Sequence, residues 1–347
     1  MKSYAALCLS LSFFLFVSPV LSLDFENFSK ENVKAALPLF KEEAKAVVSA
    51  GHLPDFKEKK EEENPALVHV LSTVSGEVLE MEEVEYLVGC VAGEMPASYH
   101  EEALKAQAVA AYTNLKRLQK DKKEGDVADI SDDTKRHQAY VTKEKRQELW
   151  GEHFEAYNQK IENAVRAVLG EALYADGHFI SAVFFSQSAG RSESAKNIWG
   201  GSLPYLQSVT CPGDKLAPDM VSTVKYTPEG LQEALEKEEG IDFSGEPTAW
   251  FEEVQKSDSG SGVVTTIIIG GKAFRGNDFR TLLSLKSPAF TVEFSEGQFI
   301  FTVSGHGHFV GMSQRSADYM AKNGSDYREI LSHFYPSAVL QNGAQAI

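Results

Sequence analysis

Residues 91–113, VAGEMPASYHEEALKAQAVAAYT, give the clearest indication of local structure in this sequence. An S-x-x-E capping box at Ser98 and Glu101 predicts a helix from about Tyr99 to Gln119. Apolar side chains recur every three or four positions along it, which predicts one buried stripe. The stripe comprises Leu104, Ala108, Ala111, Leu115 and Leu118. The small alanines allow close approach of neighbouring elements, so we expect a buried central helix.

Glu94 is the chemically interesting residue of this stretch. The preceding run EYLVGCV, from Glu85 to Val91, predicts a strand, so Glu94 is expected between a strand and a capped helix. Small and apolar neighbours would desolvate its carboxyl group and raise its pKa, as a general acid near neutral pH requires. The alternative is that Glu94 only interacts with the positive end of the helix dipole.

The rest of the chain predicts an α+β fold. A second helix is expected near residues 154–169, followed by a hairpin at Ala175-Asp176-Gly177. Residues 225–303 are rich in strand-like runs and predict a β-rich inserted sub-domain. We expect mixed helices and antiparallel strands around a cleft, with the core formed by residues 80–224 and completed by residues 304–347.

The N-terminus predicts export. Lys2 precedes an uncharged, largely apolar stretch from Tyr4 to Leu23, and acidic residues follow. Residues 1–23 are therefore interpreted as a signal peptide or as a membrane anchor, since about 20 residues at about 1.5 Å each can just cross a bilayer. Residues 24–79 predict a charged linker or helical stalk. The expected location is extracytoplasmic, with membrane contact only through the N-terminal segment.

Composition excludes several classes of protein. The 347 residues include 34 Lys and Arg against 50 Asp and Glu, a net charge of −16, which disfavours nucleic-acid binding. Three cysteines without paired C-x-x-C spacing exclude a disulfide-stapled mini-fold and a standard zinc knuckle. Cys90 and Cys211 are either paired or, as the plainer interpretation, free buried thiols. Nucleotide-binding glycine motifs are absent from the sequence.

Residues 91–113 resemble the pattern GVVAxEMPAxxxxEALKAQAxAARTY of the stage II sporulation protein D family of peptidoglycan lytic transglycosylases. Later blocks resemble the same family in the same order, so the resemblance spans about residues 80–340. These blocks are HQAY (137–140), FFSQSAGRSESA with IWGG (184–201), PYLQSV (204–209), GHFVGMSQ (307–314) and REILSHFYP (328–336).

The resemblance implies an enzyme that cleaves the bond between N-acetylmuramic acid and N-acetylglucosamine without water and leaves 1,6-anhydro ends. Glu94 matches the catalytic acid/base of the family, and the cleft is then a glycan-binding cleft. One carboxyl suffices because the 6-hydroxyl of the sugar itself is the nucleophile. No cofactor is implied.

The same resemblance implies that Lys105, Tyr205 and His308 are substrate-binding residues. Gln138, Ser186 and Ser188 are also expected to bind substrate, because amide and hydroxyl groups match the hydrogen-bonding groups of a neutral glycan. Plainer alternatives stand beside three of them. Lys105 is otherwise a surface lysine that lies along its helix, Tyr205 a partly buried core aromatic, and His308 a structural histidine.

The chain departs from the family pattern at a few positions. Tyr112 stands where the pattern has Arg, Phe309 where it has Gly, and Arg315-Ser316 where it has Tyr-Gly. The first change removes a cation expected to contact glycan. Some members carry a zinc site of Cys and His before the HQAY block, but here His137 has no cysteine near it, and we predict no metal. His306 and His308 form an H-x-H pair without an identifiable third ligand.

The resemblance also implies partners and rival functions. The expected partners are peptidoglycan glycan strands freed of stem peptides and the amidase stage II sporulation protein P, acting during engulfment of the forespore. The alternative is a non-catalytic wall-binding enhancer of an N-acetylmuramoyl-L-alanine amidase. A third interpretation is a metal-dependent hydrolase that uses His306 and His308.

Overall fold

Helices and short strands alternate without a regular pattern along the part of the chain that the computed structural model describes, residues 66–134 and 136–342. The expected signal or anchor, residues 1–23, lies outside the described residues, as does most of the expected linker. Residues 68–347 form one unit of the chain. Among the described residues, no helix has the length and hydropathy needed to cross a membrane.

Helices and strands are numbered in chain order over the described residues. The helices are α1 Glu83–Glu94, α2 Glu101–Asp121, α3 Lys143–Trp150, α4 Phe154–Val168, α5 Ala195–Trp199, α6 Pro228–Ala234, α7 Gly276–Leu282, α8 Gln314–Lys322 and α9 Tyr327–Phe334. The strands are β1 Leu67–Leu71, β2 Val78–Glu82, β3 Ile130–Ser131, β4 Glu171–Ala175, β5 His178–Phe179, β6 Phe184–Phe185, β7 Val221–Tyr226, β8 Phe251–Lys256, β9 Val264–Ile269, β10 Lys272–Arg275, β11 Phe290–Ser295, β12 Gln298–Ser304, β13 Met312–Ser313 and β14 Val339–Asn342.

The α+β fold class is confirmed. Helix α2 is the centre of the first hydrophobic core, where it contacts α1, α4, β4, α8 and α9. Four residues of its predicted stripe are fully buried: Leu104, Ala108, Ala111 and Leu115. Because half of the buried residues of this helix are alanines, neighbouring elements approach it closely.

The predicted start of α2 is wrong by two residues. The Tyr99 N–H donates to the Pro96 carbonyl at 2.9 Å, and because this turn occupies residues 96–99, the helix begins only at Glu101. His100 is the N-cap, and its ring nitrogen accepts from the Glu102 N–H at 3.3 Å. The expected capping box of Ser98 with Glu101 is therefore replaced by a histidine cap.

The strand predicted for residues 85–91 is also wrong, because these residues belong to helix α1. Every residue from Tyr86 to Gly93 is buried. A helix enclosed on all sides has no polar face, and its continuous apolar run cannot be distinguished from a buried strand by periodicity. Glu94 consequently lies at the C-terminal end of a helix.

The strands lie in several small sheets, mostly antiparallel. The predicted hairpin is confirmed: β4 pairs with β5 across Asp176 and Gly177, which have φ of 50° and 75° as a type I′ turn requires. Strand β14 pairs with the other edge of β4. Two short pairs, β1 with β3 and β6 with β13, are parallel.

Residues 67–79 correct the predicted linker, since part of that range is folded. Strand β1 lies between β2 and β3, and Val68 and Val70 are fully buried. The alternation of buried and exposed positions in this strand is typical of a sheet with one covered face.

Residues 221–304 carry a second hydrophobic core. Strands β11, β12 and β7 form one sheet, and β10, β9 and β8 form another. Phenylalanines dominate the packing between them, with Phe279, Phe290, Phe299 and Phe301 almost fully buried. The predicted division of the chain into a core and an inserted sub-domain stays a prediction.

Candidate active site

A cavity of about 450 Å³ opens beside the C-terminal end of α1. Its lining combines one carboxyl group with polar, cationic and aromatic side chains. The lining residues are Glu94, Asn114, Arg117, Leu118, Ile130, Thr134, Arg136, His137, Gln138, Ser181, Val183, Phe184, Trp199 and His308. Three predicted site residues, Glu94, Gln138 and His308, therefore share one cavity.

Glu94 is the sole carboxyl among the described residues that line this cavity. Its Oε1 accepts the Ala139 N–H at 2.7 Å, and the Gln314 side chain also hydrogen-bonds to it. Burial raises the pKa of Glu94 above that of an ordinary glutamate, and the two hydrogen bonds act in the opposite direction. The raised pKa keeps a larger share of the group protonated than in a free glutamate, which suits a general acid.

Two buried glutamines, Gln314 and Gln107, support Glu94 through a chain of hydrogen bonds. Gln314 begins helix α8 directly after strand β13, and its Nε2 donates to Gln107 Oε1 on α2 at 3.3 Å. The chain Gln107–Gln314–Glu94 joins the neighbouring helices α1 and α2 to α8, which lies about 200 residues further along the chain. It fixes the carboxyl group against the N–H of Ala139.

Gln138 lies on the loop that covers α1. Its Nε2 is within hydrogen-bond distance of Tyr86 Oη at 3.1 Å and of the Ala111 carbonyl at 3.3 Å. Its Oε1 is buried without a hydrogen-bond partner among the described residues. The amide therefore has an unused acceptor at the cavity wall.

An aromatic and a histidine form the opposite part of the lining. The Trp199 ring lies 5.1 Å from the His308 ring, centre to centre, and its side chain is 41% exposed. The His308 Nδ1 accepts the Val310 N–H at 3.1 Å. Burial lowers the pKa of His308 to about 3, so this imidazole is neutral at physiological pH. An exposed indole face beside a neutral imidazole suits the apolar face of a sugar ring.

Lys105 does not line the cavity. Its Nζ pairs with Glu102 at 2.8 Å and with Glu101 at 3.0 Å on its own helix. Glu102 also accepts the Tyr327 N–H at 2.9 Å, which places this ion pair at the contact between α2 and α9. Lys105 therefore lies outside this cavity, and its expected contact with substrate stays a prediction.

Of the two predicted serines, Ser188 lies in the protein interior and Ser186 is partly exposed. Ser188 is fully buried, and its hydroxyl donates to Asp214 Oδ2 at 2.6 Å. Asp214 Oδ1 accepts from Ser313 and Ser316, both at 2.7 Å, so the cluster anchors the start of α8. Ser188 therefore cannot reach a sugar. Ser186, whose carbonyl accepts the Arg315 N–H at 3.1 Å, lies next to β6 and outside the cavity lining.

Tyr205 lies directly behind the cavity wall. Its Oη accepts the N–H of Ser181, a lining residue, at 3.3 Å. The ring packs against the first hydrophobic core. Tyr205 thus holds the wall in place, which fits its interpretation as a partly buried core aromatic.

The departures from the family pattern lie outside the cavity lining. Tyr112 packs beside Lys116, whose Nζ lies 5.1 Å from the centre of the Tyr112 ring, so an arginine missing at this position removes no cation from the lining. Phe309 is fully buried at a φ of 68°, a conformation that glycine adopts without strain. Its ring packs 5.5 Å from that of Phe185, centre to centre, and this burial offsets the backbone cost.

The described residues contain no group of three or more His, Cys, Asp or Glu side chains placed to hold a metal ion. The absence of a metal from the function stays a prediction. Cys90 and Cys211 are free and buried, and burial raises the pKa of both thiols.

Sequence reasoning missed several residues at the site. Gln107 and Gln314 both lie in family-like blocks, EALKAQA and GHFVGMSQ, but a glutamine in a helical run gives no sign of its buried partner. Asn114, Arg117 and Leu118 lie three and four positions apart on the side of α2 that faces the cavity, and this helical spacing was the signal for them. Trp199 belongs to the IWGG block. An aromatic residue directly before two glycines was the feature of the sequence that could have marked it as a site residue.

Comparisons with known proteins agree with the resemblance. A family model described as Stage II sporulation protein matches residues 72–174. Stage II sporulation protein D of Bacillus amyloliquefaciens is 35% identical over 275 residues, 79% of this chain and 78% of that protein. The protein of that name from Bacillus subtilis (strain 168) is 35% identical over 275 residues, 78% of each chain. A Bacillus subtilis protein named amidase enhancer is 25% identical over 310 residues, 73% of this chain and 40% of that protein.

Proposed function

Because the chain belongs to the stage II sporulation protein D family, we propose that it is a peptidoglycan lytic transglycosylase that acts in sporulation. The observation that carries the proposal is a cavity lined by a single carboxyl group whose pKa is raised. Hydrolytic glycosidases need a second carboxylate to act as nucleophile or to activate water. A cavity with one carboxyl suits a reaction in which the substrate supplies its own nucleophile.

In the proposed reaction, Glu94 first acts as an acid. It gives its proton to the glycosidic oxygen between N-acetylmuramic acid and N-acetylglucosamine, and the bond to the anomeric carbon breaks as positive charge develops on the sugar. The leaving N-acetylglucosamine departs with a free 4-hydroxyl. The raised pKa favours this step because it increases the share of Glu94 that is in the acid form.

Glu94 then acts as a base. Its carboxylate takes the proton of the 6-hydroxyl of the muramic acid, and that oxygen forms the new bond to the anomeric carbon. The product is a 1,6-anhydro sugar, and Glu94 is protonated again. The nucleophile is already part of the substrate, so its attack needs no bound water.

We further propose the setting of this reaction. The protein acts outside the cytoplasm, exported or anchored by its N-terminal segment, on glycan strands during engulfment. Stage II sporulation protein P is the proposed partner amidase. The names of the two Bacillus relatives support a role in sporulation, and the other parts of this setting rest on the family resemblance.

The second candidate function is a non-catalytic enhancer of an amidase. Similarity to the protein named amidase enhancer favours it, at 25% identity. In that case the cavity binds glycan without cleaving it. An enhancer needs no titrating carboxyl, so substitution of Glu94 would leave its effect on an amidase intact.

The decisive experiment compares the full chain with Glu94→Gln on purified, peptide-free glycan strands. The wild type should release 1,6-anhydro ends, detected by mass spectrometry, and Glu94→Gln should release about 10²- to 10⁴-fold fewer. Glu152→Gln is the matched control, because the Glu152 side chain is 90% exposed and lies outside the cavity. A chelator should change neither rate.

Three outcomes would contradict the proposal. Equal release by Glu94→Gln would remove Glu94 from the reaction. Release of reducing ends without anhydro sugar would indicate a hydrolase. If the wild type cleaves nothing, and the wild type and Glu94→Gln both stimulate an added amidase, the result would support the enhancer function.

A further inference from the structure

Glu193 does not line the cavity, yet it is bonded to the two segments that carry Trp199 and His308. Its backbone N–H donates to the carbonyl of Phe309, the residue after His308, at 2.6 Å. Its Oε1 accepts the Ser194 N–H at 2.7 Å, and Ser194 is the N-cap of α5, the helix that ends at Trp199. The contact between the indole and the imidazole therefore depends on where Glu193 lies.

Helix α5 is too short to hold its own position. It has five residues, whereas isolated helices shorter than about 12–15 residues are marginal in water. Ala195 and Ile198 bury one side of it, but Trp199 at its end is 41% exposed. Asn197 Nδ2 donates to Glu193 Oε1 at 3.0 Å. The direction of the indole therefore depends on the hydrogen bonds that hold this helix.

The other oxygen of Glu193 is bonded to residues 257–261, which we call the serine turn. This turn lies between β8 and β9, and Ser259 Oγ and Ser261 Oγ donate to Glu193 Oε2 at 2.6 and 2.7 Å. The Ser261 N–H donates to Ser259 Oγ, and the Val263 N–H to Ser261 Oγ, both at 3.2 Å. Because both hydroxyl oxygens already accept a backbone N–H, their own hydrogens are available to the carboxylate.

Glu193 is a buried carboxylate that stays charged. Burial raises its pKa, but hydrogen bonds from the three hydroxyls of the serine turn and from the Ser194 N–H hold it below that of an ordinary glutamate. Charge-assisted hydrogen bonds are stronger than those between neutral groups, and a buried charge that loses its partners is costly. The serine turn is therefore a strong constraint on the segment that Glu193 holds.

Two further contacts tie α5 to the second hydrophobic core of residues 221–304. Asn197 Nδ2 also donates to Ser257 Oγ at 3.1 Å, and Arg275 Nη1, at the end of β10, donates to the Trp199 carbonyl at 3.4 Å. One contact lies in the middle of the helix and the other at its last residue. The second core therefore holds the helix that carries the indole, although none of its residues lines the cavity.

We propose that Glu193 is a positioning residue, through which the serine turn fixes Trp199 against His308 and so determines how tightly the cavity holds glycan. Glu193 contacts no substrate atom, and the chemistry of the proposed reaction stays with Glu94. The second core thus contributes to the affinity for glycan without touching it. Loss of the serine hydroxyls should free the indole and weaken binding, while the chemical step continues.

The inference rests on the proposed function in that it places glycan in this cavity, but its test uses binding instead of cleavage. The full chain with Glu94→Gln is the parent, and it is titrated with peptide-free glycan oligomers. Ser259→Ala and Ser261→Ala together should weaken binding about tenfold, the effect expected when one aromatic stacking contact is lost. Trp199→Ala should weaken it at least as much. In a chain that already carries Trp199→Ala, the two serine substitutions should cause no further loss, because they act through the indole.

Ser222→Ala is the matched control. Ser222 lies on β7 of the same core, and its Oγ is buried without a hydrogen-bond partner among the described residues, so its removal should leave the affinity unchanged. Circular dichroism and thermal unfolding check that each variant is folded, and Ser259→Ala alone replaces the serine pair if the pair unfolds the chain. With Glu94 intact, the serine substitutions should raise KM for release of anhydro ends and leave kcat close to that of the wild type.

The outcomes separate this inference from the proposed function. Unchanged affinity in the folded serine variant would overturn the inference, and so would an equal loss with and without Trp199, or lack of glycan binding by the parent. Release of anhydro ends by the wild type alongside any of these results would leave the proposed function standing alone. Coupling between the serines and Trp199 in a chain that cleaves nothing would support the inference and reject the enzyme.

Discussion

Opposing interactions set the pKa of the Glu94 carboxyl. Burial raises it, while the Ala139 N–H and the Gln314 amide lower it by stabilising the charged form. An acid that must later act as a base needs both influences, because a group that never ionises cannot accept the proton of the 6-hydroxyl. Gln314 is therefore a positioning residue that also limits how far the pKa rises.

Substitution of Gln314 should move the pH profile of the reaction. Gln314→Leu removes a hydrogen bond to the carboxylate, so the pKa of Glu94 should rise further and the loss of activity at alkaline pH should shift to higher pH. The rate should fall by about tenfold or more, the effect of one lost hydrogen bond to a charged group. The measurement is release of anhydro ends between pH 5 and 9.

Gln207→Leu provides the control for that profile. Gln207 is exposed and donates to the Leu203 carbonyl, away from the cavity lining. An unmoved profile in Gln314→Leu, with reduced rate alone, would show that Gln314 supports only the fold.

The loop that carries Gln138 and Ala139 packs closely on helix α1, and this packing positions the site. A Cβ atom at Gly89 would lie 2.8 Å from the Val141 carbonyl oxygen, and one at Gly93 would lie 3.2 Å from Ala139 Cβ. The Gly89 carbonyl accepts the Val141 N–H at 3.2 Å. The loop that brings Gln138 and the Ala139 N–H to Glu94 therefore depends on a helix face without side chains.

Gly89→Ala should displace this loop. The added methyl group should cost about 1–3 kcal/mol of unfolding free energy and lower activity by more than tenfold, because the Ala139 N–H moves away from Glu94. Thermal unfolding and release of anhydro ends measure the two effects.

Gly201→Ala is the comparison variant, since a Cβ at Gly201 meets no atom within 4 Å. It should leave both quantities unchanged. Full activity in Gly89→Ala would mean that the loop position does not control the carboxyl group.

Elements with strong local signals were predictable from the sequence, and those set by burial were not. The Asp176-Gly177 turn follows from local chemistry and is confirmed. Helix α1 resembles a strand in sequence because its apolar run carries no period. Glu94, Gln138 and His308 meet in the cavity as their motifs suggest, whereas the buried position of Ser188 depends on Asp214, a partner distant in sequence.

The contacts that anchor helix α5 also could not be predicted from the sequence. Glu193 accepts from Ser259 Oγ at 2.6 Å and from Ser261 Oγ at 2.7 Å, which ties the segment before Trp199 to the turn between β8 and β9. A carboxylate that is fully buried among hydroxyl groups leaves no pattern in either segment. The segment that carries Trp199 is thus held by hydrogen bonds to residues some sixty positions away in sequence. These contacts are visible only in the folded structure.

Two partly buried histidines, His306 and His308, make the stability of the protein sensitive to acid. Burial lowers the pKa of His306 to about 4 and that of His308 to about 3. The unfolded chain binds these protons below about pH 6.5, while the folded protein does not. Stability is therefore present above that pH and is lost as the pH falls towards 4. Glu94 has the opposite sign, since its raised pKa makes deprotonation at higher pH unfavourable to folding.

Replacement of His306 should flatten this dependence. Between pH 7 and pH 4, His306→Gln should lose less stability than the wild type, by on the order of 2 kcal/mol. Thermal unfolding across this range is the measurement, and His153→Gln, at an exposed position, is the control. Parallel curves for the wild type and His306→Gln would contradict the assignment.

The glutamine pair beneath the carboxyl group has a consequence for how the protein is made. Gln107 and Gln314 are separated by 207 positions, and ribosomes deliver the N-terminal part first. Nascent chains carry Glu94 long before its last support exists. In the proposed reaction, a chain that ends before Gln314 would therefore lack the side-chain hydrogen bond that this residue gives to Glu94.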